Sequence, residues 1–231
     1  MLSALGFLSI LGRSVPPTDR TFRWFPVAGA VIGGLVALVW WGAQEVWLLP
    51  VAAALVIAAD SALTGLLHLD GLADSVDGLL PHLERERRLE VMRTPDVGGF
   101  ALGVVPCVLV LRWASLASGG ISPWSIVAIW CLSRTLVAAV PSFAPYARTE
   151  GLATPFLGSA NRWILLAVVP ATAVLAAAQG STGIVAALAA AGATAAVIRF
   201  AVQRIGGFTG DVLGACIVLS ETAALLALAA R

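Results

Sequence analysis

Apolar residues run along this chain in seven long blocks: about Val27–Leu49, Pro50–Leu69, Gly98–Ala117, Ser122–Phe143, Trp163–Gln179, Gly183–Val202 and Val212–Ala230. Most approach the ~20 residues that carry a helix across the hydrocarbon core of a bilayer. The pattern predicts an all-α, polytopic membrane bundle of about seven transmembrane helices, with residues 1–231 forming a single membrane-embedded domain. Gly and Ala are frequent inside the blocks, as in the run 30–34 and from Ala186 to Ala196. Small residues let helices approach closely where lipid supplies no hydrophobic drive for association. Trp40, Trp41, Trp47, Trp113, Trp124 and Trp163 fall near block ends, where interfacial anchors are expected. No period of 20–50 residues repeats, which argues against an inverted-repeat transporter.

Composition narrows the choice of solvent. Hydrophobic residues make up 59% of the chain and charged residues 12%, and the mean hydropathy is +0.94. A soluble domain carries about 25% charged residues, so this chain has too little polar surface to coat a soluble globule. All fourteen basic residues are Arg and the net charge is only +1, which gives no nucleic-acid footprint. Cys107, Cys131 and Cys216 are odd in number and lack a CxxC spacing, so neither a disulfide framework nor a zinc site is indicated. Met1–Leu11 is apolar but has no basic n-region and no small-residue cleavage site. A short interfacial helix is expected there rather than a removable signal.

The arginines set the expected topology. With Arg13, Arg20 and Arg23 in the cytoplasm, seven spans place Arg85, Arg87, Arg88, Arg93, Arg148, Arg162 and Arg204 on the same side. The opposite connections, at 44–50, 118–121 and 179–182, carry no Arg, and only Arg112 and Arg231 approach that side. The positive-inside rule is thereby satisfied. The inner connections are long and hold nearly all the acids, so function is expected at the cytoplasmic face of the cell membrane.

The richest stretch is His68-Leu-Asp70-Gly-Leu-Ala-Asp74-Ser-Val-Asp77-Gly-Leu. Asp70, Asp74 and Asp77 have i, i+4, i+7 spacing, which places them within about 60° on one helix face. Three carboxylates so close repel one another, and near a bilayer they are costly to desolvate. A solvated helix end would not explain why Leu69, Leu72, Ala73, Val76 and Leu79 make the other face apolar. Hard oxygen donors in this number suit Mg²⁺, which takes one or two carboxylates plus substrate phosphates and water. His68 is a candidate proton acceptor or an ordinary helix-end histidine. Gly71 and Gly78 are expected to let backbone and ligand come close.

Other elements add to this face. The run Glu84 to Arg93 reads as a solvated amphipathic helix with partners such as Glu84 and Arg88; its position raises interest in Arg93 and then Asp96. The turn Gly206-Gly-Phe-Thr209-Gly210-Asp211 leads into a helix and can present N–H groups to a phosphate. Asp211 is either a metal ligand or a helix cap. Tyr146, Arg148 and Gly151 lie in a polar inner loop suited to an anionic substrate. Asp60 and Arg134 lie within spans, where pairing would relieve both; Arg134 could equally point toward the site. Glu221 is expected to face the bundle interior.

Together these residues resemble one family. The run His68-Leu-Asp-Gly-Leu-Ala-Asp-Ser-Val-Asp-Gly is similar to the signature of the cobalamin synthase (adenosylcobinamide-GDP ribazoletransferase) family. Arg23-Trp-Phe-Pro-Val-Ala-Gly, Glu90-Val-Met-Arg93 to Gly98, Tyr146-Ala-Arg148 with Gly151, and Gly207-Phe-Thr-Gly-Asp211-Val-Leu-Gly with Glu221 accompany it in the family's order. The resemblance implies that a hydroxyl of α-ribazole, or of its 5′-phosphate, attacks the cobinamide-linked phosphate of adenosylcobinamide-GDP. GMP leaves, adenosylcobalamin or its 5′-phosphate forms, and Mg²⁺ is required. It implies a metal and pyrophosphate site at Asp70, Asp74 and Asp77, completed by Arg93, Asp96, Arg148 and Asp211, with Arg134, Tyr146, Gly151 and Thr209 beside the substrates. One departure stands out: many members read Lys-Asp-Ser-Arg where this chain has Arg93-Thr-Pro-Asp96. The resemblance leaves open a homo-oligomer.

Two rival enzyme classes also use Asp-rich helices with Mg²⁺. A membrane prenyltransferase would carry two such motifs, and Gly210-Asp211 is a poor second copy. A CDP-alcohol phosphotransferase would show Ala-Arg where this chain has Asp74-Ser. A transporter would instead use Asp60, Arg134 and Glu221 as a path through the bilayer.

Overall fold

Helix starts follow local chemistry. Proline occupies the first turn of three long helices, where its missing N–H belongs to an unpaired group in any case. The Ser122 and Thr209 side chains accept from the N–H groups of Trp124 and Val212 and so cap one of these three and one further helix. The structure, a computed structural model, describes residues 1–11, 18, 21–148 and 162–230. Its helices are α1 (Leu2–Leu8), α2 (Phe25–Val46), α3 (Leu49–Leu63), α4 (Leu67–Leu79), α5 (Arg85–Val91), α6 (Gly99–Ala117), α7 (Pro123–Ala139), α8 (Val168–Gln179), α9 (Ser181–Ile205) and α10 (Gly210–Ala229). Gly151, Arg13, Arg20 and Arg231, all named from the sequence, lie outside the described residues.

Among the described residues, five helices are long and apolar enough to cross a membrane: Thr21–Val46, Gly99–Ala117, Pro123–Ser142, Ser181–Ile205 and Gly210–Ala229. The segment Trp163–Gln179 is a shorter apolar helix, and α3 with α4 qualifies only as a pair bent by 88°. The expected seven spans therefore become five, a sixth if the bent pair is counted as one, and a short helix. Burial orders them: 72% of the α7 window and 67% of the α10 window are inside the bundle, against 28% for α6 and α9. α7 and α10 form the centre. α6 and α9 turn Leu102, Val110, Leu111, Ile184 and Leu188 outward, an apolar surface that only lipid would cover. α2 lies along α7, and Gly29 and Gly33 make that approach possible. A Cβ at Gly29 would stand 2.5 Å from the Trp130 carbonyl oxygen, and one at Gly33 2.7 Å from the Trp130 Cβ.

The second apolar block is not a straight helix. Gly65 and Leu66 both adopt left-handed backbone, with φ of 59° and 62°, and two such residues in succession end a right-handed helix. The Thr64 hydroxyl donates back to the Asp60 carbonyl at 2.8 Å and finishes α3. The chain then turns nearly at right angles, so His68 and Asp70 belong to α4 and not to the span before it.

The two ends of the bundle differ as the arginines predicted. At one end, Arg85 donates from Nε to the Ile205 carbonyl (2.9 Å) and from Nη2 to the Ala147 carbonyl (3.1 Å), and Arg148 donates to the Met92 carbonyl (3.3 Å). At the other, Trp40 donates to the Ile121 carbonyl (2.8 Å), Trp113 to that of Pro50 (2.8 Å) and Gln179 to that of Gly120 (3.0 Å). Trp40 is fully buried, unlike the exposed Trp41, Trp47, Trp124 and Trp163. It is a core residue and not the interfacial anchor expected.

The intramembrane charges pair differently from the sequence expectation. Asp60 is held by Arg112 (3.2 Å) and by the Trp130 indole N–H (2.8 Å), not by Arg134. Arg112 also bonds Glu221 at 2.9 Å, and the other Glu221 oxygen accepts from Arg134 and from the Ser133 hydroxyl. Arg112 is therefore interior, not near the outer surface. Two cations and two anions from α3, α6, α7 and α10 form one buried, balanced chain, because none could stand alone in lipid. Glu221→Ala would leave two arginines facing an empty position. It should destabilise purified protein by about 3–5 kcal/mol, read from unfolding in detergent, and Glu221→Gln should lose less.

Candidate active site

α4 reaches the site because its neighbours tie down both its backbone and its flanks. The buried Arg88 of α5 donates from Nη1 to the carbonyls of Gly78 (3.0 Å) and Leu79 (2.7 Å), satisfying the C-terminal end of α4. Arg88 thus caps a helix instead of pairing with Glu84; the surface pairs of that segment are Arg87 with Glu90 (2.7 Å) and Arg85 with Glu86 (3.4 Å). Gly71 and Gly78 serve helix packing: a Cβ on Gly71 would stand 2.9 Å from the Asp211 carbonyl oxygen, and one on Gly78 2.5 Å from the Met92 side chain. Gly71 also lines the narrower cavity described below. α4 therefore crosses α10 closely at Gly71 and Gly214, which carries Asp211 toward the acidic face of α4.

The three aspartates of α4 divide by environment. Asp77 is buried, and its Oδ2 and Oδ1 accept the N–H groups of Gly98 (2.7 Å) and Ala101 (3.0 Å). It caps the start of α6, an arrangement favoured by the helix dipole. Asp70 is exposed and Asp74 half-buried, and neither has a hydrogen-bond or ion-pair partner among the described residues. The charges acting on Asp74 are those of Asp211, Asp70, Arg148 and Asp77. Asp70, Asp74 and Asp77 line an open polar cavity of about 340 Å³ together with Arg93 and Asp96. The Arg93 and Asp96 side chains are exposed and form no ion pair among the described residues.

A second wall comes from the end of α9, the start of α10 and the segment after α7. Phe208 N–H donates to the Pro145 carbonyl (2.9 Å) and Ala147 N–H to the Phe208 carbonyl (2.8 Å), and the Tyr146 and Phe208 rings meet edge to face at 5.4 Å. This pairing sets Arg148 beside Asp211, with Nη2 3.0 Å from Oδ2. Thr209 caps α10 and donates to the same Asp211 oxygen at 3.2 Å. Asp211 is not the cap itself, and the Gly-rich turn spends its Phe208 and Val212 N–H groups inside the protein. Beyond this wall a narrower cavity of about 130 Å³ is lined by His68, Asp70, Tyr146, Arg148 and Asp211 among apolar side chains.

Of the residues named from the sequence, Asp70, Asp74, Asp77, Arg93 and Asp96 meet at one cavity, and His68, Asp70, Tyr146, Arg148 and Asp211 at the other. Thr209 supports Asp211 from behind. Arg134 is set apart, fully buried in its pair with Glu221. Among the described residues, no three His, Cys, Asp or Glu side chains are placed so as to hold a metal ion by themselves. Sequence reasoning missed the structural part of Arg88, because nothing separates it from the other arginines of its run.

A polytopic helical membrane protein with partnerless carboxylates and arginines at one end belongs to the class that handles a charged substrate at the bilayer surface. The chain belongs to the cobalamin-5-phosphate synthase family, whose pattern it matches over residues 1–229. Relatives named adenosylcobinamide-GDP ribazoletransferase include that of Bradyrhizobium diazoefficiens, 36% identical over 98% of this chain and 92% of the relative. Those of Roseiflexus sp. (36% identical, 97% and 87% covered) and Leptothrix cholodnii (37%, 88% and 82%) carry the same name. No solved structure matches the chain significantly.

The split among the aspartates has a measurable consequence. Asp77→Ala removes a helix cap and should lower stability by about 0.5–2 kcal/mol. Asp70→Asn and Asp74→Asn remove unpaired, mutually repelling charges and should leave the unfolding transition unchanged or slightly raised. Equal losses of stability in all three variants would contradict the division.

Proposed function

We propose that this chain transfers adenosylcobinamide phosphate from adenosylcobinamide-GDP to α-ribazole or its 5′-phosphate, at the cytoplasmic face of the cell membrane. The observation that carries the reading is the pair Asp70 and Asp74: two carboxylates one turn apart, open to a cavity and left without protein partners. The relatives' shared name supplies the substrates, and the arginine-rich end of the bundle supports the orientation. In the reaction the acceptor hydroxyl oxygen bonds to the cobinamide-linked phosphorus. The bond from that phosphorus to the oxygen bridging to the GMP phosphate breaks, GMP departs with its electron pair, and the hydroxyl proton passes to water in the open cavity.

The donor set fits Mg²⁺. Such an ion takes one or two protein carboxylates and completes its shell with phosphate oxygens and water, and of the three α4 aspartates Asp70 and Asp74 are the two that no protein donor occupies. Asp77, with each oxygen already bonded to a helix N–H, steadies the face they share, and Asp96 stands across the cavity. Bound there, Mg²⁺ would neutralise the diphosphate, the main requirement of phosphoryl transfer. Arg93 lies at the same cavity to draw the diphosphate in. Arg148 is held by Asp211 at the neighbouring cavity, ready for charge on the side from which the acceptor comes. Asp211 faces Arg148, so its part is to position that arginine, with Thr209 fixing Asp211 in turn.

Purified protein supplied with Mg²⁺, adenosylcobinamide-GDP and α-ribazole should release GMP. Asp70→Asn or Asp74→Asn should lower that release by at least about 10³-fold, the scale of losing a preorganised electrostatic contact at a reacting group. Chelation of the metal should abolish it and added Mg²⁺ should restore it. Full activity in either variant would take these carboxylates out of the mechanism, and activity unaffected by chelation would take out the metal.

A further inference from the structure

The narrower cavity has a composition the diphosphate chemistry does not use. Phe7 of α1, Phe22 and Phe25 form one wall, with the Phe22 and Phe25 rings edge to face at 4.7 Å and Phe7 stacked on Phe25 at 6.1 Å. Val137 of α7 and Ile217 of α10 add apolar lining. Between them His68 is 6% exposed, and its Nε2 is buried without a hydrogen-bond partner. A buried ring nitrogen left unpaired is costly, and His68 is the one polar residue among the buried residues that line this cavity, Asp70, Tyr146, Arg148 and Asp211 being exposed or half-buried. The mouth carries Asp70, which also lines the polar cavity.

We infer that this cavity is the acceptor subsite: it encloses the aromatic base of the incoming nucleoside, with His68 Nε2 as the polar contact among its buried walls. The inference rests on the transferase reading above. A benzimidazole riboside is flat and apolar and keeps a single unsubstituted ring nitrogen, a lone-pair acceptor. The Nε2–H tautomer of His68 supplies one donor for it, and aromatic walls suit the ring faces. The guanine of the donor substrate is the competing occupant by size. It presents several donors and acceptors along its edges, and against buried walls that offer only His68 Nε2 most would lose their hydrogen bonds. The corrinoid is far too large for about 130 Å³. With the base held here, the attached ribose lies toward the mouth, where Asp70 borders the diphosphate cavity, so acceptor and donor approach that residue from opposite sides.

The test separates the two substrates kinetically. Ile217→Phe fills the cavity from α10 and Phe7→Ala opens it from α1; in each, KM for α-ribazole should rise by about 10-fold or more, with KM for adenosylcobinamide-GDP within about 2-fold. His68→Phe keeps the packing and removes the donor. It should weaken α-ribazole but not a riboside whose ring carries C–H in place of the free nitrogen, an outcome a merely structural histidine would not give. A rise in KM for adenosylcobinamide-GDP instead would place the guanine here, and no change in either constant would leave the cavity to lipid or detergent; both overturn the inference. If a variant fails to fold, the wild-type preference for α-ribazole over the C–H analogue decides: equal kcat/KM for the two rejects a donor at the ring nitrogen. Should wild-type protein release no GMP, the transferase reading fails separately. Equilibrium binding of α-ribazole, expected for wild type and lost in Ile217→Phe, then judges the cavity alone.

Discussion

A charge withdrawn from water must be matched inside the protein, and this requirement organises the whole molecule. Asp60, Arg112, Glu221 and Arg134 satisfy it among themselves. Asp77 satisfies it with two helix N–H groups and Arg88 with two helix carbonyls. Asp211 and Arg148 satisfy it with each other. Asp70, Asp74, Arg93 and Asp96 have no such partner among the described residues, and all four line one cavity. That coincidence of unpaired charge at one cavity is what the proposed active site rests on. It is stronger than a count of acids, because it separates Asp77 from two neighbours that look identical in sequence.

The buried network also joins the parts that must stay fixed. Asp60 stands one turn before the break at Thr64–Leu66, Arg112 lies on α6, Arg134 on the central α7 and Glu221 on α10. α10 begins at Asp211, and α6 begins at the N–H groups that Asp77 holds. Both helices are therefore anchored at depth by ion pairs and at the surface by site residues. The left-handed pair Gly65–Leu66 then lets α4 leave the direction of α3 and lie across α10. A straight helix through this region would have carried the acidic face on along the line of α3, away from Arg148 and Asp211.

Most of this was legible in the sequence, and what was not has identifiable reasons. Apolar blocks predicted the helices because hydrophobic length is read locally, and the arginine asymmetry predicted two unlike ends. The acidic face of α4 was visible as i, i+4, i+7 spacing. The break within Pro50–Leu69 was hidden, since Gly65 is one glycine among many in an apolar run and Leu66 is not a residue that marks left-handed backbone. Partner choice was hidden too. Asp60 and Arg134 are both lone charges in their blocks, and only the packing of α6 against α3 shows that Arg112 intervenes. Arg88 looked like its solvated neighbours, although the helix end it caps lies nine residues earlier.

The placement of His68 follows from the same geometry. Its Nε2 is among the few buried polar side-chain atoms of the site end left without a partner, and it lies within the electrostatic reach of Arg134 and Arg112. Those cations are neutralised by Glu221 and Asp60, so the region behind α4 is balanced while the region in front of it is not. His68 therefore sits between the paired charges and the cavity's buried apolar walls. An imidazole with one N–H to give contributes selectivity there through what it pairs rather than through charge. The division of labour along α4 then follows its first two turns: His68 lines the narrower cavity, Asp70 both cavities, and Asp74 the polar one.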